Sequence, residues 1–315
     1  MRFVQKGDEV MATSVVKSTS NGGSFKQFIK DYGWCYAFIA LPLLLFLIFT
    51  VYPLITAFVM SFQEYGIMES KFIGLDNYKY LLKNEIFWKA MKNTTIYTLG
   101  TVPVNIIITF FLSLMIFPLN QRSQTFFKAS FYLPAVTSGI TMSLIWLWMF
   151  DPTQSGLVNI VLGWFGFDHQ LWLASSKSAL FSLMLMTYIG GHGSGVILYL
   201  AAMGGIPKSL YEAADIDAAS WWSKLKNITW PLLKPTTLYM LITGVIGSFQ
   251  VFEATYVMTQ GGPNFATTTI AFLIYQHAFE YYQFGLAAAE AFILGFIIIV
   301  ISVLQFKYMA SDVEY

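Results

Sequence analysis

Long apolar runs alternate with short polar connections along the chain. Six runs qualify, over residues 37–61, 95–117, 129–150, 180–203, 238–258 and 284–306, and none contains Lys or Arg. A helix crossing a ~30 Å hydrocarbon core needs about 20 apolar residues. In a dry core each run must satisfy its own backbone, so runs of this length are predicted to be helices. Barrel strands would be about ten residues long and alternating, which these are not. Residues 1–34 are polar, with Lys17 to Gly23 forming a Ser/Thr/Gly-rich stretch. They read as a tail too polar for a cleaved leader, and the first run is longer than a leader's apolar region.

Composition sharpens this picture. Of 315 residues, 56% are hydrophobic, 18% aromatic and only 11% charged, against about 25% charged in soluble domains. That excludes an ordinary soluble enzyme and a disordered chain. Eighteen basic residues face seventeen acidic ones, so no surplus of positive charge draws the chain to nucleic acid. Cys35 is the lone cysteine, which excludes an intrachain disulfide framework and a multi-cysteine metal site.

Lys and Arg are unevenly shared between the two sides. Arg2, Lys6, Lys17, Lys26, Lys30, Arg122, Lys128, Lys208, Lys224, Lys226, Lys234 and Lys307 fall on one side; Lys71, Lys79, Lys83, Lys89, Lys92 and Lys177 fall on the other. Twelve against six predicts both termini in the cytoplasm. The expected organisation is a cytoplasmic tail (1–34), a first span with its outer loop (35–86), a core of five spans (87–308) and a cytoplasmic C-terminus (309–315).

Residues 206–235 between the fourth and fifth runs are the most informative connection. Ser209 and Glu212 have the S-x-x-E spacing of a capping box, which predicts a helix from Ser209 through Asp217. Small Ala218, Ala219 and Ser220 permit a sharp bend. Ser220 can cap a second short helix over 221–229, and Pro231 and Pro235 are expected to end it. The result is a two-helix elbow on the cytoplasmic side, carrying Trp221 and Trp222.

This elbow resembles the EAA loop of ABC-transporter permeases, E-A-A-x-x-D-G-A followed by I-x-L-P-x-x-x-P. Glu212, Ala213, Ala214, Asp217, Ala219, Ile228, Pro231 and Pro235 match in register. Ala218 stands for the usual glycine, Leu225 for a phenylalanine and Trp230 for a leucine. Four further stretches resemble carbohydrate-uptake permeases of the MalF type: Phe72 to Tyr78, Phe150-Asp151-Pro152 with Gly156 and Asn159, Thr259 to Pro263, and Phe284 to Ala289. The likeness covers about residues 35–308.

The resemblance implies an all-α, six-span type I importer permease. Its coupling loop, with Glu212, Ala213, Ala214, Asp217, Ala218 and Pro231, sits in a groove on a cytoplasmic ATPase. It also implies a second related permease, two ATPase subunits, an extracytoplasmic binding protein that delivers sugar, and a bacterial or archaeal cytoplasmic membrane. The chain has no G-x-x-x-x-G-K-[ST], so no Walker loop cradles phosphates here. ATP and magnesium are expected on the partner ATPase, and no cofactor, metal or catalytic residue on this chain. Glu212 reads either as a helix-capping carboxylate or as a contact to the ATPase.

Intramembrane polar groups are functional candidates, because they are costly in lipid. The fifth run holds Thr243, Gly247, Gln250 and Glu253. On a continuous helix Gly247, Gln250 and Ala254 share a face, with Glu253 beside it. The likeness to the maltose permease implies sugar contacts at Thr243, Gly247 and Gln250. The bland alternatives are a bond from Gln250 to a neighbouring helix and a structural pairing of Glu253. Trp146 and Trp148 read as sugar-stacking rings or as interfacial belt residues. Tyr188 and His192 lie in a glycine-rich part of the fourth run, where glycines permit close helix approach or break the helix. A lone His192 has no companions at metal-ligand spacing. The absence of cations within the runs favours a neutral saccharide over a glycerol-phosphate-type solute, unless the partner permease supplies the positive charge; another small polar solute is the alternative substrate. A proton-coupled secondary transporter using Glu253, Glu290 or His192, and a membrane-embedded enzyme using Glu253 and His192, are competing readings that have no need of the elbow.

Overall fold

The computed structural model describes residues 25–66 and 70–309; the expectations for the first 24 residues and for residues 310–315 lie outside the described part. The chain divides into two compact units, Met1–Thr56 and Ala57–Tyr315. α1 (Phe25–Phe46) passes through a π-helical turn (Leu47–Val51) into α2 (Tyr52–Met60), within which the division between the units falls. Together Tyr32–Met60 is long and apolar enough to cross a membrane, and its side chains are exposed along nearly its whole length. That suits a helix whose solvent is lipid.

The second unit opens with a short hairpin, β1 (Gln63–Tyr65) against β2 (Ser70–Phe72), antiparallel with Glu64 opposite Lys71. α3 (Asp76–Lys83) follows. Buried Asn77 on α3 donates to the carbonyls of Ser61 (2.9 Å) and Gln63 (2.9 Å). Residues 57–86 therefore pack with the core that follows them.

α4 (Glu85–Ile116) is an unbroken 32-residue span. Asn84 caps it by accepting from the N–H groups of Ile86 (2.8 Å) and Phe87 (3.1 Å), satisfying donors that a helix start leaves free. Two of the expected spans are broken. The third is α5 (Gln121–Val136) plus α6 (Gly139–Met149), bent by 96° between them. Thr137 is extended there. Gly139 opens α6 with the end of the Glu253 side chain lying where a Cβ would stand, so a larger residue there would make that carboxylate swing aside. α7 (Leu157–Trp164) then lies over the end of α6. The fourth span is α8 (Ala179–Gly190) plus α9 (Gly193–Gly204), bent by 43°. Gly193 rests against the backbone of Phe131 and Tyr132 on α5, where a Cβ would strike the Phe131 carbonyl. The glycine run thus both breaks the helix and allows close approach.

α10 (Lys208–Ile216), α11 (Trp221–Lys224), a π turn (Leu225–Thr229) and α12 (Trp230–Phe249) come next. Pro231 and Pro235 do not end a helix: Trp221–Phe249 is one 29-residue helical run. Pro231 sits in the first turn of α12 and the π turn just before it re-sets the hydrogen-bond ladder. The fifth span stops at Phe249, short of residue 258. Its end is tightened by i→i+3 bonds, Gln250 N–H to Gly247 and Val251 N–H to Ser248. A π turn (Thr255–Thr259), α13 (Ile270–Tyr275) with a further π turn (Gln276–Glu280), and the last span α14 (Phe284–Met309) complete the unit.

The loop before α13 is tied to α4 by polar side chains. Asn93 donates to the carbonyls of Phe265 (2.9 Å) and Thr268 (3.0 Å), and Thr94 accepts from the Ile270 N–H (3.0 Å). The largest apolar core joins α4, α12, α13 and α14 through Phe87, Val102, Val245, Phe249, Ile270 and Leu294.

Candidate functional site

The elbow begins with α10, whose N-cap position is Pro207 and has no side-chain cap. Starting one residue early puts Ser209 inside the first turn, so the expected capping box with Glu212 does not form. Glu212 and Asp217 are exposed and make no side-chain hydrogen bond or ion pair among the described residues. α10 ends in a Schellman motif: Ala219 N–H bonds to Ala214 O (2.9 Å) and Ala218 N–H to Asp215 O (3.1 Å). The C′ residue, Ala218, has φ +50°, the left-handed conformation that glycine usually supplies. The expected bend is therefore present although alanine occupies its apex. Ser220 caps α11 by accepting from Ser223 N–H (3.3 Å), as expected.

The elbow is held to the body of the unit. Lys224 on α11 pairs with Asp215 on α10. Tyr211 bonds through its hydroxyl to Thr229 (2.9 Å). Leu225 and Ile206 are buried with Phe110, Tyr199, Met203 and Leu233. What remains outside is apolar and acidic: Ile216 is 86% exposed, Trp221 63% and Trp222 61%, with Glu212 and Asp217 beside them in sequence.

A cavity of about 600 Å³ lies between α4, α8, α9 and α12. Tyr97, Thr101, Asn105 and Thr109 line it from α4, Thr187, Gly191 and Ser194 from the broken fourth span, and Tyr239, Thr243 and Gly247 from α12. No Asp, Glu, Lys, Arg or His is among its lining residues. The amide oxygen of Asn105 is buried with no donor among the described residues. A neighbouring cavity of about 470 Å³ is lined by Gly139, Ser143, Gln250, Phe252 and Glu253. Tyr97 and Val251 belong to the walls of both.

The arrangement has known counterparts. Residues 118–308 match the family described as "Binding-protein-dependent transport system inner membrane component". The chain belongs to this family. It is 35% identical over 278 residues to the arabinooligosaccharides transport system permease protein AraP of Bacillus subtilis (strain 168), covering 88% of each chain. It is 31% identical over 300 residues to the lactose transport system permease protein LacF of Rhizobium radiobacter, covering 94% of this chain and 99% of that one. Its fold is similar to a chain in the crystal structure of a bacterial ABC transporter that imports the acidic polysaccharide alginate. The TM-score is 0.80 at 25% identity, over 90% of this chain and 96% of that one. The same likeness holds for that transporter in complex with its alginate pentasaccharide-bound periplasmic protein. The chain is thus a multi-pass permease subunit of ABC-importer type, a transport component and not an enzyme.

Within the permease, the residues named from sequence separate into groups. Thr243 and Gly247 line the larger cavity, and Gln250 and Glu253 the smaller one. The shared face expected for Gly247, Gln250 and Ala254 does not exist, because the helix ends between them. Trp146 is 7% exposed; it stacks on Phe150 (5.2 Å between ring centroids), which packs on Trp172, and it reaches neither cavity. It is therefore no belt residue; Trp148, its neighbour in sequence, is 63% exposed. Tyr188 donates to Gly100 O (2.9 Å) and pins α8 to α4. His192 sits at the α8–α9 break with both ring nitrogens engaged. The Tyr188 carbonyl (2.7 Å) can only accept, so Nε2 donates to it and Nδ1 takes the Thr109 hydroxyl (3.0 Å). Among the described residues no group of three or more His, Cys, Asp or Glu could hold a metal ion. The α4 wall was not anticipated, although Tyr97, Thr101, Asn105 and Thr109 recur every four residues in an apolar run, the spacing of one helix face.

Proposed function

We propose that this chain is the permease subunit of an ATP-driven importer for a neutral oligosaccharide. The carrying observation is an uncharged cavity, walled by hydroxyl, amide and aromatic groups, in a subunit whose elbow exposes unpartnered carboxylates and tryptophans. Sugars offer many hydroxyls and apolar ring faces, which such a wall can bind. The names of the relatives AraP and LacF support a saccharide. An acidic saccharide such as the alginate carried by the structural relative is disfavoured. Between Lys234 and Lys307 there is no Lys or Arg, and a carboxylate entering a dry cavity wants a positive partner.

In this reading a second permease completes the passage and two cytoplasmic ATPases hold the nucleotide and its magnesium. An extracytoplasmic binding protein delivers the sugar, and both termini face the cytoplasm. ATPase closure pulls on the elbow. The buried contacts of Leu225, Ile206 and Tyr211 transmit that pull to α9 and α12, which wall the cavity. Proton-coupled transport finds less support. Of the three groups it would use, Glu253 lines the smaller cavity, but His192 has both nitrogens engaged and Glu290 is buried against His277 (2.9 Å), away from both cavities described above, so these three groups form no relay across the passage.

The test is reconstitution of the full complex in proteoliposomes, with ATP-dependent uptake of arabino-oligosaccharides as readout. Glu212→Lys is expected to abolish uptake and ATPase association while membrane insertion persists. Gln250→Leu is expected to weaken uptake more than assembly. Uptake at the wild-type rate in Glu212→Lys, or proton-driven accumulation by this chain alone, overturns the reading.

A further inference from the structure

Beyond the end of α12 opposite the elbow, Phe252, Tyr256, Tyr275 and Phe279 form a strip of aromatic rings that packs at its inner end on buried Phe272. Phe252 stacks on Tyr256 (5.3 Å between centroids, 21° between planes). Tyr275 meets both, at 4.9 Å and 5.1 Å. Phe279 continues from Tyr275 at 5.5 Å. The strip starts inside: Phe252 lines the smaller cavity beside Gln250 and Glu253. It ends outside: Tyr256 is 40% exposed and Phe279 63%. Alongside it, Gln276 donates to the Glu280 carboxylate (3.1 Å), and no cation lies in this stretch of chain.

We infer that this strip is a second saccharide subsite, which holds the trailing units of an oligosaccharide whose leading units occupy the two cavities. The inference rests on the sugar reading above and adds length selection to it. Sugar rings present apolar C–H faces to aromatic planes, and their hydroxyls reach neighbouring carboxylate and amide groups. Glu253 at the inner end, with Glu280 and Gln276 at the outer, supplies such groups. Gln250 lines the same cavity as Phe252 and offers an amide to a ring that moves inward. A row of aromatics at a membrane boundary also serves as a lipid belt. Continuity with the cavity separates the two uses, because a belt has no cause to begin at Phe252 on a cavity wall that also carries Gln250 and Glu253.

The inference is tested on the full complex in proteoliposomes, with the partner permease, both ATPases and the binding protein. The readout is the ratio of uptake of long to short arabino-oligosaccharides. Tyr256→Ala and Phe279→Ala are each expected to lower that ratio about tenfold, the order of loss when one stacking platform is removed from a ring-stacking ligand. Tyr256→Phe, which keeps the ring, is expected to keep the ratio. Equal loss of long and short sugars, or an unchanged ratio, assigns the strip to lipid or to packing and overturns the inference while leaving the sugar reading intact. Wild-type complex that imports no saccharide of either length overturns both.

Discussion

Ala218→Gly gives the sharpest reading of the elbow. Ala218 holds φ +50° at the C′ position of a Schellman motif. An L-residue with a Cβ pays about 1–2 kcal/mol in that conformation, and glycine pays none of it. Glycine also loses more backbone freedom on ordering, which offsets about 0.4–1 kcal/mol. The net expectation is a gain of roughly 0.5–1 kcal/mol in local stability, or two- to fivefold in the closed-to-open ratio of the bend. The two Schellman bonds have Ala218 and Ala219 N–H as donors, so hydrogen exchange at those amides, in the purified complex, reads the effect directly. Protection should rise two- to fivefold there. Ala218→Val should move it the other way, because a β-branched residue at positive φ is a strong outlier. Unchanged or weaker protection in Ala218→Gly would refute the assignment of strain to this apex.

Three other outcomes follow from the geometry. Asn159→Leu removes a hub whose two amide N–H groups are shared among the Asp151, Thr153 and Gln170 carbonyls and whose oxygen accepts from Gln170 N–H and the Trp172 indole. The stranded indole and carbonyls should cost about 3 kcal/mol, seen as a melting temperature lower by about 6–12 °C. Gly139→Val makes the Glu253 carboxylate swing aside from the start of α6, and a displaced side-chain end of this kind should cost about 0.5–1.5 kcal/mol; adding Glu253→Ala should restore most of it, and a purely additive double variant would exclude this clash. Asp151, outside the spans, is held below the usual carboxylate range by the Thr153 hydroxyl and then by its N–H. That contribution is complete above the ordinary carboxylate pKa of about 3.9 and is lost as pH falls through the depressed value. Asp151→Asn should therefore lower the melting temperature at neutral pH and converge with wild type in acid.

The spans were legible because uninterrupted apolar runs of this length have few other uses. Their breaks were not. Within residues 129–150 the uncharged Thr137-Ser138-Gly139 stretch is too short a dip in hydropathy to mark a 96° bend. The stop after Phe249 is set by i→i+3 bonds and by contacts such as Ser248 to Thr98 (3.0 Å), which are tertiary facts. In the elbow the Ser220 cap was readable from residue type alone. The Schellman turn was half hidden, since alanine gives no signal for positive φ. Thr243 and Gly247 could be named from the fifth run. The wall they face, from Tyr97 to Thr109, became visible only when α4 was placed opposite them.

The uninterrupted course of α4, tied through Asn93 and Thr94 to the loop before α13, suits it as a reference within the subunit. A spectroscopic label at exposed Leu99 or Ile107 would serve as the fixed point of a ruler. A second label at Ile216, at the tip of the elbow, would then report the stroke length of the lever in ångströms as nucleotide is turned over.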